Sequence, residues 1–414
     1  MRNILDYGAV GDGVTLDTAA IQQAIDAGGM VCIPAGTWRI GTLYLKSNGG
    51  LHLEHGAVLI ASHDLDDYNK GDFCPQNWIS EKEYQKGEHL IVAVEQENIT
   101  IEGHGTIDGQ GRHWMNESRM MKGCPFPENL DYAPQLHPSQ MVYFCECRNV
   151  HITDICLTNS PYWHLFFHGC EDVLVRGTVI RGDRPRWTND GIDIDCCARV
   201  TVSDCTIDVG DDALTLRGCG SQLLHRDAVC EQITVTNCVL RSARDFGIRI
   251  GVGEGVIRNC VLSNLDIEAP NCAGIGFMGR WHPDAKNATS IERLLFSNIN
   301  VRGRRGLEMV VAEGDAPMPN SCFLRNISFS HLLIEQDISS KFYGNDEVML
   351  ENIRFSDVFV NPTRGADDSS VQFAFRNAQQ IFFYRMYVEN CDGRNTITAE
   401  NRCEIIMDGM KIWD

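Results

Sequence analysis

The chain has 414 residues, 43% of them hydrophobic and 22% charged, so it can fill a sizeable core and does not have the composition of a disordered protein. Its 36 Lys and Arg against 56 Asp and Glu leave a net charge of −20. That balance argues against nucleic acid and against an anionic membrane surface as partners, while a local basic pocket could still take an acidic substrate.

The first element is a helix. Asp17 stands at its N-cap, Ala19, Ala20, Ile21, Ala24 and Ile25 form an apolar stripe, and Gly28-Gly29 stops it. The Gly/Asp turn cluster Asp6 to Gly13 precedes it. Short runs with β signatures follow: Met30 to Ile33, Trp38 to Leu45, Gly50 to Leu53 and Val58 to Ala61.

From Asn98 onward one short pattern recurs. It begins at Asn98, Asn149, Asp172, Arg199, Gln232, Asn326 and Asn352, with intervals such as 23, 27, 33 and 26 residues. Each copy alternates apolar and polar residues, meets an Asn, Asp or Gly, and alternates again. One coil of a parallel β-solenoid per copy accounts for this. Coils stack at about 4.8 Å, and Asn or Asp corners suit the left-handed turns between sheets. The reading is therefore an all-β chain: a single-stranded right-handed parallel β-helix with a short N-terminal capping helix. It treats 1–414 as one domain, with 1–60 as cap and first coils and 98–412 as main coils. A β-sandwich is the weaker alternative, because tight hairpin turns are sparse.

Eighteen Cys are present, with no Cys-x-x-Cys. Several (Cys205, Cys238, Cys260) recur at matching places in apolar runs, so reduced and buried thiols are expected. No stretch reaches the roughly 18 apolar residues of a membrane span, and the N-terminus has no apolar leader. The localisation expected is cytoplasmic, or secreted or periplasmic if a leader has been removed.

Carboxylates cluster in two consecutive coils, Thr188-Asn189-Asp190-Gly191-Ile192-Asp193-Ile194-Asp195 and Gly210-Asp211-Asp212-Ala213-Leu214-Thr215-Leu216. Stacking Ile192 and Ile194 on Leu214 and Leu216 is a shift of 22 residues. It puts Asp190 over Asp212 and Asn189 over Asp211. Three like charges on one patch should raise the pKa of at least one of them, which suits acid–base cleavage of a glycoside. Turn chemistry or calcium binding would use the same residues.

These strings resemble glycoside hydrolase family 28, the polygalacturonases and their relatives, which are right-handed parallel β-helices. Asn189-Asp190-Gly191 and Asp211-Asp212 match the family's paired motifs, with Thr188 where the family has Asn. Ile107-Asp108-Gly109-Gln110-Gly111 and Asn159-Ser160-Pro161-Tyr162-Trp163-His164 are similar to further family segments. Tyr7 to Gly13 resembles the N-terminal cap of pectinase-like β-helices. The resemblance implies that Asp211 is the general acid, that Asp190 and Asp212 hold and deprotonate the attacking water, and that the anomeric centre inverts. Acid and base in inverting enzymes stand roughly 6.5–9.5 Å apart.

Two departures alter the expectation. The family's Gly-His-Gly falls at Asp245-Phe246-Gly247, so Phe246 replaces the histidine, and Asp245 either presses on Asp211 or pairs with Arg244 or Arg249. The family's Arg-Ile-Lys, which grips a uronate carboxylate, falls at Gly276-Phe277-Met278 and lacks both cations. Arg249, Arg280 and Arg217 are replacement candidates. Trp163, Trp187 and Trp281 are read as sugar platforms or loop fillers, and His164, His168 and His282 as spare polar groups.

The expectation is an inverting glycoside hydrolase acting on a pectin-derived or related plant-cell-wall oligosaccharide, other than a plain endo-polygalacturonase. Its catalytic residues are Asp190, Asp211 and Asp212. Its substrate contacts are Asp245, Phe246, Arg249, Arg280, Trp163, His164 and Trp281. No metal and no cofactor is expected, and a homo-oligomer is left open. The long loops Asp64 to Glu88 and Arg112 to Gln140 are expected to close one end of the cleft, which points to exo-action. A β-helix lyase, epimerase or fructan-transferring enzyme and a non-catalytic carbohydrate-binding β-helix are the alternatives.

Overall fold

The computed structural model describes residues 1–77, 87–114, 137–280, 287–312, 318, 322–363, 371–389 and 396–413. The chain divides into two compact units, Met1–Asp211 with Gln222–Arg226, and Asp212–Ser221 with Asp227–Asp414. Both are built of parallel β-helix coils.

The first unit stacks three parallel sheets. One contains Ile91–Val94, Val142–Cys145, Leu165–His168 and Ile192–Asp195. Its core ladder Ile91, Val142, Leu165 and Ile192 is in register and buried. The second contains Glu97–Gly103, Arg148–Thr153, Glu171–Arg176 and Ala198–Ser203, and the third Thr106–Asp108, Cys156–Thr158, Val179–Arg181 and Thr206–Val209.

The repeat starts read from sequence are the corners. Asn98, Asn149, Asp172, Arg199, Gln232, Asn326 and Asn352 all adopt φ between 51° and 58°. Asn tolerates this left-handed region better than other side-chain-bearing residues. It adds a ladder of its own: the Asn98 amide donates to Asn48 (2.7 Å) and the Asn149 amide to Asn98 (2.8 Å).

The helix Thr18–Asp26 forms with Ile21, Ala24 and Ile25 buried. Asp17 does not cap it. Its carboxylate instead accepts from the backbone N–H groups of Val10 and Gly11, pinning the preceding turn. The helix shields an edge strand, Leu43–Tyr44: the Gln22 amide donates to the Tyr44 carbonyl (3.0 Å) and accepts from the Tyr44 N–H (2.9 Å), as a neighbouring strand would. The run Trp38 to Leu45 breaks into two strands at Gly41, where a Cβ would lie 2.0 Å from the Asp67 carbonyl.

The outward positions of the first sheet are covered. Val92, Tyr143, Cys145, Tyr162, Trp163 and Phe166 form an apolar cluster, with Phe73, Val94 and Leu223 packed on it. Parts of both long loops, 78–86 and 115–136, lie outside the described residues.

The second unit runs longer strands through its corners, among them Val229–Ser242, Val256–Arg280 and Ser290–Ala312. Its core is an aromatic stack in which Phe296, Phe329, Phe355 and Phe383 follow one another at 4.6–5.3 Å between ring centres. An antiparallel hairpin, Ile397–Met407 with Met410–Trp413, ends the parallel ladder. Every cysteine among the described residues is free; Cys205, Cys238 and Cys260 are buried, while Cys32, Cys74, Cys156, Cys219 and Cys272 are only partly so. No helix among them is long and apolar enough to cross a membrane.

Candidate active site

In the first unit Asp190 and Asp211 bring carboxylate oxygens within 4.8 Å of each other. Asp190 precedes the strand Ile192–Asp195, and Asp211 follows the strand Thr206–Val209. Asn189, fully buried, brackets them. Its amide nitrogen donates to the Asp183 carbonyl (2.8 Å), and its oxygen accepts the N–H groups of Gly210 (2.9 Å) and Asp211 (3.2 Å). Sequence stacking placed Asn189 over Asp211, and this hydrogen bond joins the two. Position 210 must be glycine, because a Cβ there would meet the Arg186 carbonyl at 2.0 Å and Asn189 Oδ1 at 2.7 Å.

His164 supports Asp190 from behind. Its ring Nδ1 and its backbone N–H both donate to the Asp190 carbonyl at 2.9 Å, while Nε2 accepts the Ser160 N–H at 3.3 Å. Complete burial pushes its pKa down to about 4, so it is neutral. His164 was expected to touch sugar; with no exposed surface it instead positions the backbone of Asp190. Trp163 is likewise buried, stacked on Tyr162 at 5.0 Å, so it fills the covering cluster and is not a sugar platform. Trp187, 37% exposed, remains open to solvent in the loop before Asp190.

The two further segments singled out in the sequence meet here. Gly111 donates its N–H to the Asn159 carbonyl, and a Cβ at Gly109 or Gly111 would come within 3.0 Å of Asn159 or Ser160 backbone. The buried Arg186 guanidinium donates to the Gly111 carbonyl (2.8 Å).

In the second unit Asp212 is 1% exposed. Its Oδ1 accepts the Phe246 N–H (3.0 Å) and its Oδ2 the Arg249 guanidinium (3.2 Å). Burial, and then the negative charge of Asp245, push its pKa up to about 7, against the opposing pull of Arg249. The charge of Asp245 thus bears on Asp212, and the cation that sequence offered as its partner, Arg249, is paired with Asp212. Asp245 Oδ1 accepts from the Cys272 thiol at 3.5 Å, and its N–H donates to Ser242. Phe246 is 6% exposed and packs with Ala273 and Met278, so it too is chiefly a core residue. Arg280 is half-buried at the end of its strand. Trp281 and His282 lie outside the described residues.

One carboxylate oxygen each of Asp190 and Asp211 lies within 4.8 Å of the other, closer than the roughly 6.5–9.5 Å expected of an inverting pair, so separation alone does not point to inversion. A second group, which sequence reading missed, consists of Glu95, Glu146 and His225, whose ligand atoms also lie within 4.8 Å. Glu95 and Glu146 occupy positive-φ positions (55° and 49°). Gln76 donates to both, and Glu146 accepts the N–H groups of Leu224 and His225.

The sequence pattern of glycosyl hydrolases family 28 matches residues 61–314. The chain belongs to that family. Residues 1–53 match a second pattern, "Rhamnogalacturonase A/epimerase, pectate lyase-like". The chain is 30% identical over 226 residues to a "Probable polygalacturonase" of Vitis vinifera, covering 52% of this chain and 44% of the relative. It is 28% identical over 251 residues to the "Exo-poly-alpha-D-galacturonosidase" of Dickeya chrysanthemi, covering 51% and 41%. These matches span less than half the length of either relative. In fold it resembles the family 28 exopolygalacturonase of Yersinia enterocolitica, with a TM-score of 0.74 at 19% identity over 99% of this chain and 78% of that one.

Proposed function

We propose that this family 28 chain hydrolyses a pectin-derived or related plant-cell-wall oligosaccharide, with Asp190, Asp211 and Asp212 as its reacting groups. Asp211 donates a proton to the departing glycosidic oxygen as the bond to the anomeric carbon breaks. Asp190 and Asp212 orient a water, and one of them takes its proton as the new C–O bond forms. The carrying observation is the Asp190–Asp211 carboxylate pair, with oxygens within 4.8 Å of each other beside the buried Asn189 bracket. A partly exposed Asp211 beside a buried Asp190 suits a donor that must reach substrate.

The substrate is not plain polygalacturonate cut at random. Gly276 and Met278 stand where the family places its carboxylate-gripping cations, and Arg249 is committed to Asp212. This favours a neutral or differently held sugar at that position, cut from a chain end.

Asp211→Asn keeps the shape and removes the proton. Turnover should fall by about 10²–10⁴ while oligosaccharide binding is retained. NMR of the product anomer and size profiling on an oligosaccharide ladder complete the test. Inverted product released from one end is expected. Unchanged turnover in Asp211→Asn sinks the acid assignment, an unsaturated product makes the protein a lyase, and random internal cuts refute exo-action.

A further inference from the structure

Within the second unit, the surroundings of Arg249 are more elaborate than a surface ion pair requires. One side of its guanidinium donates to Asp212 Oδ2 at 3.2 Å, with the two side chains only 17% and 2% exposed. The other side donates to the Met278 thioether at 3.7 Å. The guanidinium carbon lies 5.7 Å from the centre of the Phe246 ring. On the next strand, Gly276 is the register partner of Arg249. A Cβ at Gly276 would come within 2.3 Å of two Phe246 ring carbons. The missing side chain therefore makes room for the ring, and the ring lies against the arginine. Phe246 also supplies the N–H that holds Asp212 Oδ1. Each carboxylate oxygen thus has its own donor, and both donors belong to one braced assembly.

We propose that Arg249 is a positioning residue for Asp212, fixing the direction in which its carboxylate faces and supplying its counter-charge, with Phe246, Gly276 and Met278 as the brace. The proposal rests on the reading of Asp212 as a reacting carboxylate. It assigns to a partly buried guanidinium a role inside the catalytic machinery in place of one gripping substrate. Burial and the charge of Asp245 outweigh it, and Arg249 limits how far they push Asp212 toward the neutral form. The groups facing Asp212 in this unit include Arg249, Asp245, the Phe246 N–H and the Cys272 thiol, whose ionisation the Asp212 charge opposes.

The experiment compares the full chain with Arg249→Gln, Arg249→Lys, Gly276→Ala and Asp212→Asn. Rates are followed against pH, and the Asp212 carboxyl is titrated by ¹³C NMR in aspartate-labelled protein, assigned by its loss in Asp212→Asn. In Arg249→Gln, kcat should fall roughly 30-fold or more with KM little changed, and the acid limb and the Asp212 titration should both rise by about one pH unit or more. A single contact can be made by a lysine point charge, so Arg249→Lys should restore the limb. Gly276→Ala displaces the ring but leaves the charge, so kcat should fall with a smaller shift of the limb. If Arg249→Gln fails to fold, the lysine and alanine variants carry the same comparison. A raised KM with kcat and limb unmoved would make Arg249 a substrate contact and overturn the proposal, as would variants with unaltered rate and titration. Normal turnover in Asp212→Asn would overturn the hydrolase assignment of Asp212, while the NMR shift in Arg249→Gln would still report the pairing.

Discussion

Asp211 and Asp212 are neighbours in the chain, and each is held within its own unit in a different way. On the first unit's side, neutral groups hold the backbone. A buried amide, Asn189, holds the backbone of Gly210 and Asp211, and an uncharged His164 holds the carbonyl of Asp190. On the second unit's side the frame is ionic, with Arg249 drawing Asp212 toward the charged form while burial and Asp245 push it toward the neutral one. Neutral brackets are indifferent to pH and salt; opposed charges are not. One side is therefore built for fixed geometry and the other for a proton that comes and goes near neutrality.

The harshest way to break that comparison is through Gly210. Gly210→Ala places a methyl 2.0 Å from the Arg186 carbonyl, so the Asp211 backbone must shift. Displacement of a reacting group by about 1 Å can cost about 100-fold in rate. We expect a loss of that size in kcat/KM, with the acid limb of the pH–rate profile where it was, because no charge near Asp212 has changed. A limb that moved with Gly210→Ala would show that the two frames are not separate.

The corners and core ladders were legible in the sequence because they rest on local rules: a left-handed φ selects Asn, Asp or Gly, and a period of two selects the inward face. Asn189 was placed over Asp211 by the same reasoning. Arg249 was not linked to Asp212, since the pair lies 37 residues apart and depends on which way a side chain leaves its strand. The sequence left Trp163 open between sugar platform and loop filler for a related reason. It is buried in a cluster on which Phe73 and Leu223 pack, and these reach it from loops whose paths no periodicity describes. Asp17 failed as a cap because the turn before it competes for its carboxylate. Sequence patterns thus describe the rungs well and the packing laid over them poorly.

The ionic side is sharpened by removing its repulsion. In Asp245→Asn the negative neighbour of Asp212 is lost, so the pKa must fall from about 7 toward the model-peptide value of 3.8. A base works only when ionised. The acid limb should therefore move to lower pH, and activity at pH 5.5 should rise severalfold relative to the optimum. Stability follows with a definite sign. Between pH 3.8 and about 7 the folded chain keeps a proton on Asp212 that the unfolded chain has released, so stability falls as pH rises through that window. In Asp245→Asn this fall should be shallower, measured as Tm against pH. An unmoved limb would mean that Asp212 is not the group being titrated.

The smallest effect is expected where the two units are alike. Asn98 in the first and Asn352 in the second sit at φ 57° and 51°, each in an amide ladder, with Asn352 donating to Asn326 at 2.6 Å. Replacing either by Ala removes an amide and leaves a Cβ-bearing residue without local compensation in the left-handed region. The cost should be about 1–2 kcal/mol in denaturant unfolding. Replacement by Gly should cost less, since glycine adopts this φ freely and only the ladder bond is lost. Equal losses in the two units, with kcat and its pH profile unaltered, would locate the difference between the units in the frames around Asp211 and Asp212. Loss of activity from Asn352→Gly would instead mean that the coil corners reach the reacting carboxylates.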